Sequence, residues 1–159
     1  MGHKIAVLLH NIRSAHNVGS IFRTADAAGV SRIYLSGYTP KPTDRFGRAQ
    51  KEIKKTALGA ETFLPWEHNA APDAFITEMK KKDWSIVGVE QDARAVDYRK
   101  FKPRKPTLFI FGNEVLGLSK ELRAKCDELI EIPMRGRKES LNVSVAAGVI
   151  LFACGSPNT

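Results

Sequence analysis

The chain has 159 residues, 43% of them apolar and 26% charged, which suits one soluble globular domain and leaves little room for two. No apolar stretch reaches the ~20 residues that span a bilayer, and the opening "MGHKIAVLLH" is too short for a secretory signal, so the expected setting is the cytoplasm. The formal charge of +8 favours partners that carry phosphates, although it also serves plain solubility. Cys126 and Cys154 form no disulfide framework, and neither they nor the four histidines have metal-ligand spacing, so no metal is expected.

In chain order, "IAVLL" (5–9) reads as a strand and residues 18–28 as a helix. Val18, Ile21, Phe22, Ala25 and Ala28 make a core-facing stripe on that helix, with Gly29 as its stop. Gly19, Arg23 and Asp26 fall on the opposite face, where Arg23 has an ion-pair partner at i+3. Asn17, at the mouth of the helix, has the chemistry of a cap. "RIYLS" (32–36) is the next strand, followed by the long loop 37–50.

A helix at 50–58, a strand at "TFLPW" (62–66), a helix at 73–82 and a strand at "SIVGV" (85–89) come next. A second long loop, 91–106, leads to the strand "TLFIF" (107–111), a helix at 119–125, the strand "LIEIP" (129–133) and a final helix at 141–154. Strands alternating with helices predict an α/β domain with a mainly parallel sheet and helices on both faces. The final helix is apolar all round, so something besides the sheet must cover it, and a second subunit is the obvious candidate.

Both long loops are basic. Residues 41–55 hold six Lys/Arg against Asp44 and Glu52, and residues 94–105 hold six against Asp97. With Phe46, Tyr98 and Phe101 interleaved, Arg45, Arg48, Arg104 and Lys105 could hold RNA phosphates, or simply form solvated faces. Lys80, Lys81 and Lys82 end a helix and suit its dipole.

"FIFGNEVLGLS" (109–119) takes a buried strand into a glycine-containing loop with Gly112, Glu114 and Gly117, at the place where open α/β sheets bind ligands. There is no G-x-G-x-x-G and no P-loop. In "RGRKESLNVSVAAGVILFACG" (135–155) a polar mouth with Ser140 and Asn142 opens onto an apolar run. Ser140 could cap that helix, yet a helix N-terminus also offers free N–H groups to a ligand.

Three segments, "NVGSIFRTADAAG" (17–29), "FIFGNEVLGLS" (109–119) and "IPMRGRKESLNVSVAAGVILF" (132–152), together resemble the signature motifs of the SpoU (TrmH) branch of the SPOUT methyltransferases. The resemblance implies an S-adenosylmethionine-dependent enzyme that methylates a ribose 2′-hydroxyl of tRNA or rRNA. It further implies a homodimer acting on RNA rather than DNA, and a C-terminal trefoil knot, a feature no pattern rule would propose.

It assigns Arg23, Asn17, Glu114, Ser140 and Asn142 to the catalytic site. Val89, Gly112, Ile132, Met134, Ser140 and Leu141 are assigned to the cofactor. Residues 1–159 then form the catalytic domain alone, with no separate RNA-binding domain. A non-catalytic RNA-binding protein on the same fold is the alternative.

Overall fold

"IAVLL" is apolar at every position and "TLFIF" at all but its first, the pattern of strands buried on both faces. In the computed structural model, which describes residues 2–155, they become the centre of a seven-stranded sheet. Met1 and residues 156–159 of the expected 1–159 domain lie outside the described residues.

The elements are β1 (Ile5–His10), α1 (Ala15–Ala27), β2 (Arg32–Ser36), α2 (Lys51–Ala57), α3 (Ala60–Phe63), β3 (Trp66–His68) and α4 (Pro72–Lys81). They continue with β4 (Ser85–Val89), β5 (Val96–Asp97), β6 (Thr107–Phe111), α5 (Lys120–Lys125), β7 (Glu128–Glu131) and α6 (Val143–Cys154). The strand order is β3-β2-β1-β6-β4-β7-β5, and every pair is parallel. The α/β class and the parallel sheet expected from the sequence are found. The order, with β6 between β1 and β4, is compatible with the knot the resemblance implies.

Alternation along each strand sorts the core into two layers. Val7 and Leu9 of β1, with Phe109 and Phe111 of β6, face α1, α2 and α6 through Val18, Phe22, Ile53, Ile150 and Leu151. Ala6, Leu8, Leu108 and Ile110 face Phe75, Ile76 and Met79 of α4 and Leu122 of α5. Helices therefore cover both faces, with α1 and α6 side by side on one of them.

Four expectations need correction. The strand read at 62–66 is one turn of helix, α3, followed by a strand that starts at Trp66. Leu58 and Gly59 take left-handed conformations (φ 52 and 96) that stop α2, and Leu64 N–H bonds back to Ala60 C=O. Pro65 then sets the extended backbone that pairs with β2. Loop 91–106 contains β5, too short to carry a periodicity, paired with the end of β7.

Gly19 is buried rather than on the solvent face. A Cβ there would run into Thr56 Oγ1 and Ile53 C=O, so α2 packs directly on α1. The last helix begins at Val143 with Asn142 as its cap, two residues later than read. Ser140 is therefore not a cap.

Candidate functional site

The C-terminal ends of β4, β6 and β7 open onto a cavity of about 320 Å³, and the chain around it is shaped by glycine and carboxylate contacts. After Phe111 the backbone turns sharply. A Cβ on Gly112 would come within 2.7 Å of Gly117 C and O, so only glycine fits the approach. Asn113 Oδ1 accepts the N–H groups of Val115 and Leu116 at 2.9 and 2.8 Å, and Asn113 C=O accepts Gly117 N–H at 2.9 Å. Gly117 itself is left-handed (φ 65). Glu90, just past β4, accepts Leu118 N–H at 2.6 Å and locks the loop from the other side.

The opposite wall is the segment after β7. Ile132 and Met134 are half-buried along it, and Gln91 Nε2 donates to Glu139 C=O at 2.6 Å, tying the exposed residues 135–140 back to the end of β4. Asn142 Oδ1 accepts both Ser144 N–H (2.8 Å) and Ser144 Oγ–H (2.6 Å), starting α6 at the rim.

Val89, Gly112, Ile132, Met134, Ser140 and Leu141, the six positions that the resemblance assigns to the cofactor, all line this one cavity. Four carboxylates line it as well: Glu90, Glu114, Glu131 and Glu139. In a chain of net charge +8 that is a local inversion of sign, suited to a cationic ligand.

Glu114 bridges the cavity to α1. Its carboxylate accepts Arg13 N–H (2.8 Å), Ser14 N–H (2.9 Å) and Asn17 Nδ2 (3.3 Å). Partial burial pushes its pKa up, but those donated hydrogen bonds outweigh it and hold the carboxyl below its ordinary value. Asn17 is buried in the first turn, and Ser14 is the cap, accepting Asn17 N–H at 3.1 Å.

Arg23 stands apart from this group. It lies six residues beyond Asn17, about 9 Å along the helix, and is exposed. Among the described residues it pairs with no carboxylate, neither Asp26 nor Glu114. It shares the outer surface of the α1–α6 layer with Val145 and Phe152, which are 51% and 64% exposed.

The basic residues separate into two places. Arg45 and Arg48 sit on the loop after β2, on the cavity's side of the sheet. There a hairpin is organised by Asp44, which accepts Phe46 N–H, Arg48 N–H and Arg48 Nε–H. Both guanidinium groups lie over the Phe46 ring, 4.7 and 5.0 Å from its centre. Arg104 and Lys105 precede β6, at the opposite pole of the parallel sheet, and Lys105 pairs with Asp83 at 2.9 Å.

Sequence reading missed Glu90 and Gln91. Their only signal was a pair of polar residues directly after an apolar strand. Among the described residues no group of His, Cys, Asp and Glu could hold a metal. Burial pushes both thiols up to about 11, so neither is a thiolate at neutral pH. No helix among the described residues is long and apolar enough to cross a membrane.

Known proteins resemble the chain over most of its length. The model of the SpoU rRNA Methylase family matches residues 4–152. The chain is 35% identical over 151 residues to the 23S rRNA (guanosine-2′-O-)-methyltransferase RlmB of Xylella fastidiosa, covering 95% of this chain and 58% of that protein. It is 34% identical over 148 residues to the tRNA (guanosine(18)-2′-O)-methyltransferase of Aquifex aeolicus, covering 93% of this chain and 67% of that one.

Among solved structures, the AdoMet-bound rRNA methyltransferase of Sinorhizobium meliloti superposes with a TM-score of 0.85 at 32% identity, over 96% of this chain and 56% of that one. The chain thus spans little more than half the length of several of these relatives. With two of its three motifs lining one cavity, the first tied to it through Asn17 and Glu114, and a family match across nearly its whole length, the chain belongs to the SpoU rRNA methylase family.

Proposed function

We propose that the chain transfers a methyl group from S-adenosylmethionine to a ribose 2′-hydroxyl of tRNA or rRNA, as a homodimer in the cytoplasm. The observation that carries this reading is the carboxylate-lined cavity at the β4–β6–β7 ends. S-adenosylmethionine carries a sulfonium and an ammonium, and Glu90, Glu114, Glu131 and Glu139 supply matching negative charge. The glycine-shaped turn at Gly112 brings main-chain polar groups to the wall, which suits the uncharged parts of the same molecule. The relatives named as RNA guanosine-2′-O-methyltransferases support the substrate class and the AdoMet-bound neighbour supports the cofactor.

When bound, the cofactor supplies an electrophilic methyl group on a cationic sulfur. The chain's own residues then have three tasks. Gly112, Ile132, Met134 and Leu141 hold the donor in one orientation, because an in-line displacement draws much of its rate from positioning. Glu114, fixed by Arg13, Ser14 and Asn17, keeps the cavity wall and the mouth of α1 in register. Ser140 and Asn142, at the rim, place the sugar.

The 2′-hydroxyl must lose its proton as the bond forms, and the acceptor is an oxygen of the neighbouring substrate phosphate or water. Arg23 does not take it, since a guanidinium offers N–H donors and no acceptor. Its role is to orient the neighbouring phosphate and to stabilise the negative charge that develops on the oxygen. Because Arg23 shares an outer face with Val145 and Phe152, pairing two chains through that face delivers it to a site at the subunit boundary.

The test is transfer from methyl-labelled S-adenosylmethionine to total RNA from cells lacking the gene, followed by digestion to nucleosides. Label in 2′-O-methylnucleosides is the expected result. Label on a base, or none in RNA despite cofactor binding, overturns the reading.

A further inference from the structure

The loop that walls the cavity has a second, outer side. Arg13, Tyr38, Asn113, Glu114, Val115 and Leu116 line an open groove of about 470 Å³ there, and the last four of these also line the cavity. Three features of the groove call for an occupant besides the cofactor.

The first is Tyr38, which is 58% exposed yet fixed at both ends. Its hydroxyl accepts Asn113 Nδ2–H at 2.9 Å, and its backbone N–H donates to Asn11 Oδ1 at 3.1 Å. The preceding Gly37 is left-handed (φ 62), and a Cβ there would collide with the Asn11 side chain. An aromatic ring that merely faced water would not need these anchors.

The second is the pair Val115 and Leu116, 90% and 82% exposed. Their backbone N–H groups are both held by Asn113 Oδ1, so the two side chains stand on a rigid knuckle rather than a loose tip. The third is charge: Arg13 lines the groove, and the basic hairpin with Lys41, Arg45 and Arg48 follows Tyr38 directly in the chain.

We propose that this groove receives one unpaired RNA base, stacked on the Tyr38 ring and backed by Val115 and Leu116, with Arg13 against its phosphate. The inference rests on RNA being the substrate. A ribose delivered to the cavity must have its base on the cavity's outer side, and the groove shares Asn113 and Glu114 with the cavity wall. A pre-set aromatic face with adjacent cations is the combination that binds single-stranded RNA through stacking and phosphate contact. Apolar side chains next to it can take the place of the neighbouring base in the stack.

The test is fluorescence anisotropy of the full chain with an end-labelled, unstructured RNA of about twelve nucleotides, with S-adenosylmethionine affinity measured in parallel by calorimetry. Tyr38→Ala should weaken RNA binding about tenfold and Tyr38→Trp should keep it within about twofold, both with unchanged cofactor affinity, and Leu116→Ser should weaken RNA binding several-fold. RNA binding untouched by Tyr38→Ala overturns the inference, and so does an equal loss in Tyr38→Trp, because the hydroxyl anchor would then matter and not the ring. Dissociation of the dimer by Leu116→Ser, seen by light scattering, overturns it in favour of a subunit contact. Ribose methylation that proceeds normally in Tyr38→Ala sinks this inference alone, whereas methylation of some other acceptor by the unaltered chain sinks the reading of the reaction and leaves the stacking result to stand on its own.

Discussion

Glu114, three residues past the end of β6, accepts the backbone N–H of Ser14, the cap of α1, one hundred positions earlier in the chain. A carboxylate thus serves the start of a helix it does not belong to, and in doing so fixes α1 against the cavity wall.

Replacing Glu114 by Gln keeps the shape but removes the charge. The new amide can accept through one atom only, leaving one of the Arg13 and Ser14 N–H groups facing an NH2. Stability should fall by about 1–2 kcal/mol, discounted for partial exposure. Because the folded pKa lies below the ordinary 4.5, the carboxylate's contribution is complete above that value and is lost as the pH falls through the folded one. Thermal melting of both proteins across pH should show a gap at neutrality that closes in acid. A gap of constant size would mean the charge is not what holds Ser14.

Gly112→Ala tests the crowding at the turn after β6. The added methyl meets backbone atoms of Gly117 at 2.7 Å, which cannot swing away as a side-chain tip could. Overpacking of this kind costs about 1–3 kcal/mol, and the shifted loop should weaken S-adenosylmethionine binding by tenfold or more. Calorimetry and melting together check it, and unchanged cofactor affinity would remove Gly112 from the binding wall.

The sheet was legible because its central strands are almost wholly apolar, and α1 because its stripe repeats at helical spacing. α3 and β5 were not. Each covers about one period, too little to display a pattern, and β5 is set by a contact far away in sequence, Val96 with Ile130. The six positions carried over by resemblance meet at one cavity, but nothing local in "VGVEQ" marks Glu90 and Gln91 as the groups that clamp its two walls. Those roles depend on which strands end side by side, and topology is what a linear pattern hides.

Arg23→Ala should lower turnover by about a hundredfold or more, the scale seen on removing a group that stabilises developing charge. Cofactor affinity should stay within about twofold, since Arg23 does not line the cavity. Single-turnover methyl transfer and equilibrium titration separate the two effects. Unaltered transfer would take Arg23 out of the chemistry.

The two basic pairs differ in prospect. Arg45 and Arg48 lie on the loop after β2, on the side of the sheet where the cavity opens, whereas Arg104 and Lys105 sit at the other pole with Lys105 engaged by Asp83. Neutralising Arg45 and Arg48 together should weaken RNA binding and reduce the slope of log K against log salt by about 1.4, the value for two phosphate contacts on a single strand. Neutralising Arg104 and Lys105 should have the smaller effect. Equal losses from both pairs would mean that the RNA wraps from one pole to the other.

The outward face of α6 gives the last test. A helix apolar on all sides keeps Val145 half exposed and Phe152 64% exposed while Ile150 and Leu151 fill the core behind them. Water against such a face is unfavourable by about 25 cal/mol per Å² of apolar surface, so a second copy of the chain is the natural cover. Asp at both Val145 and Phe152 should place four carboxylates in the two-fold contact and separate the subunits. The inward side chains are unchanged, so circular dichroism should report a folded monomer, while methyl transfer should be lost because Arg23 shares that face. A wild-type chain that sediments as a monomer, or a double variant that stays dimeric, would show that this face is not the contact and would return Arg23 to a purely intrasubunit role.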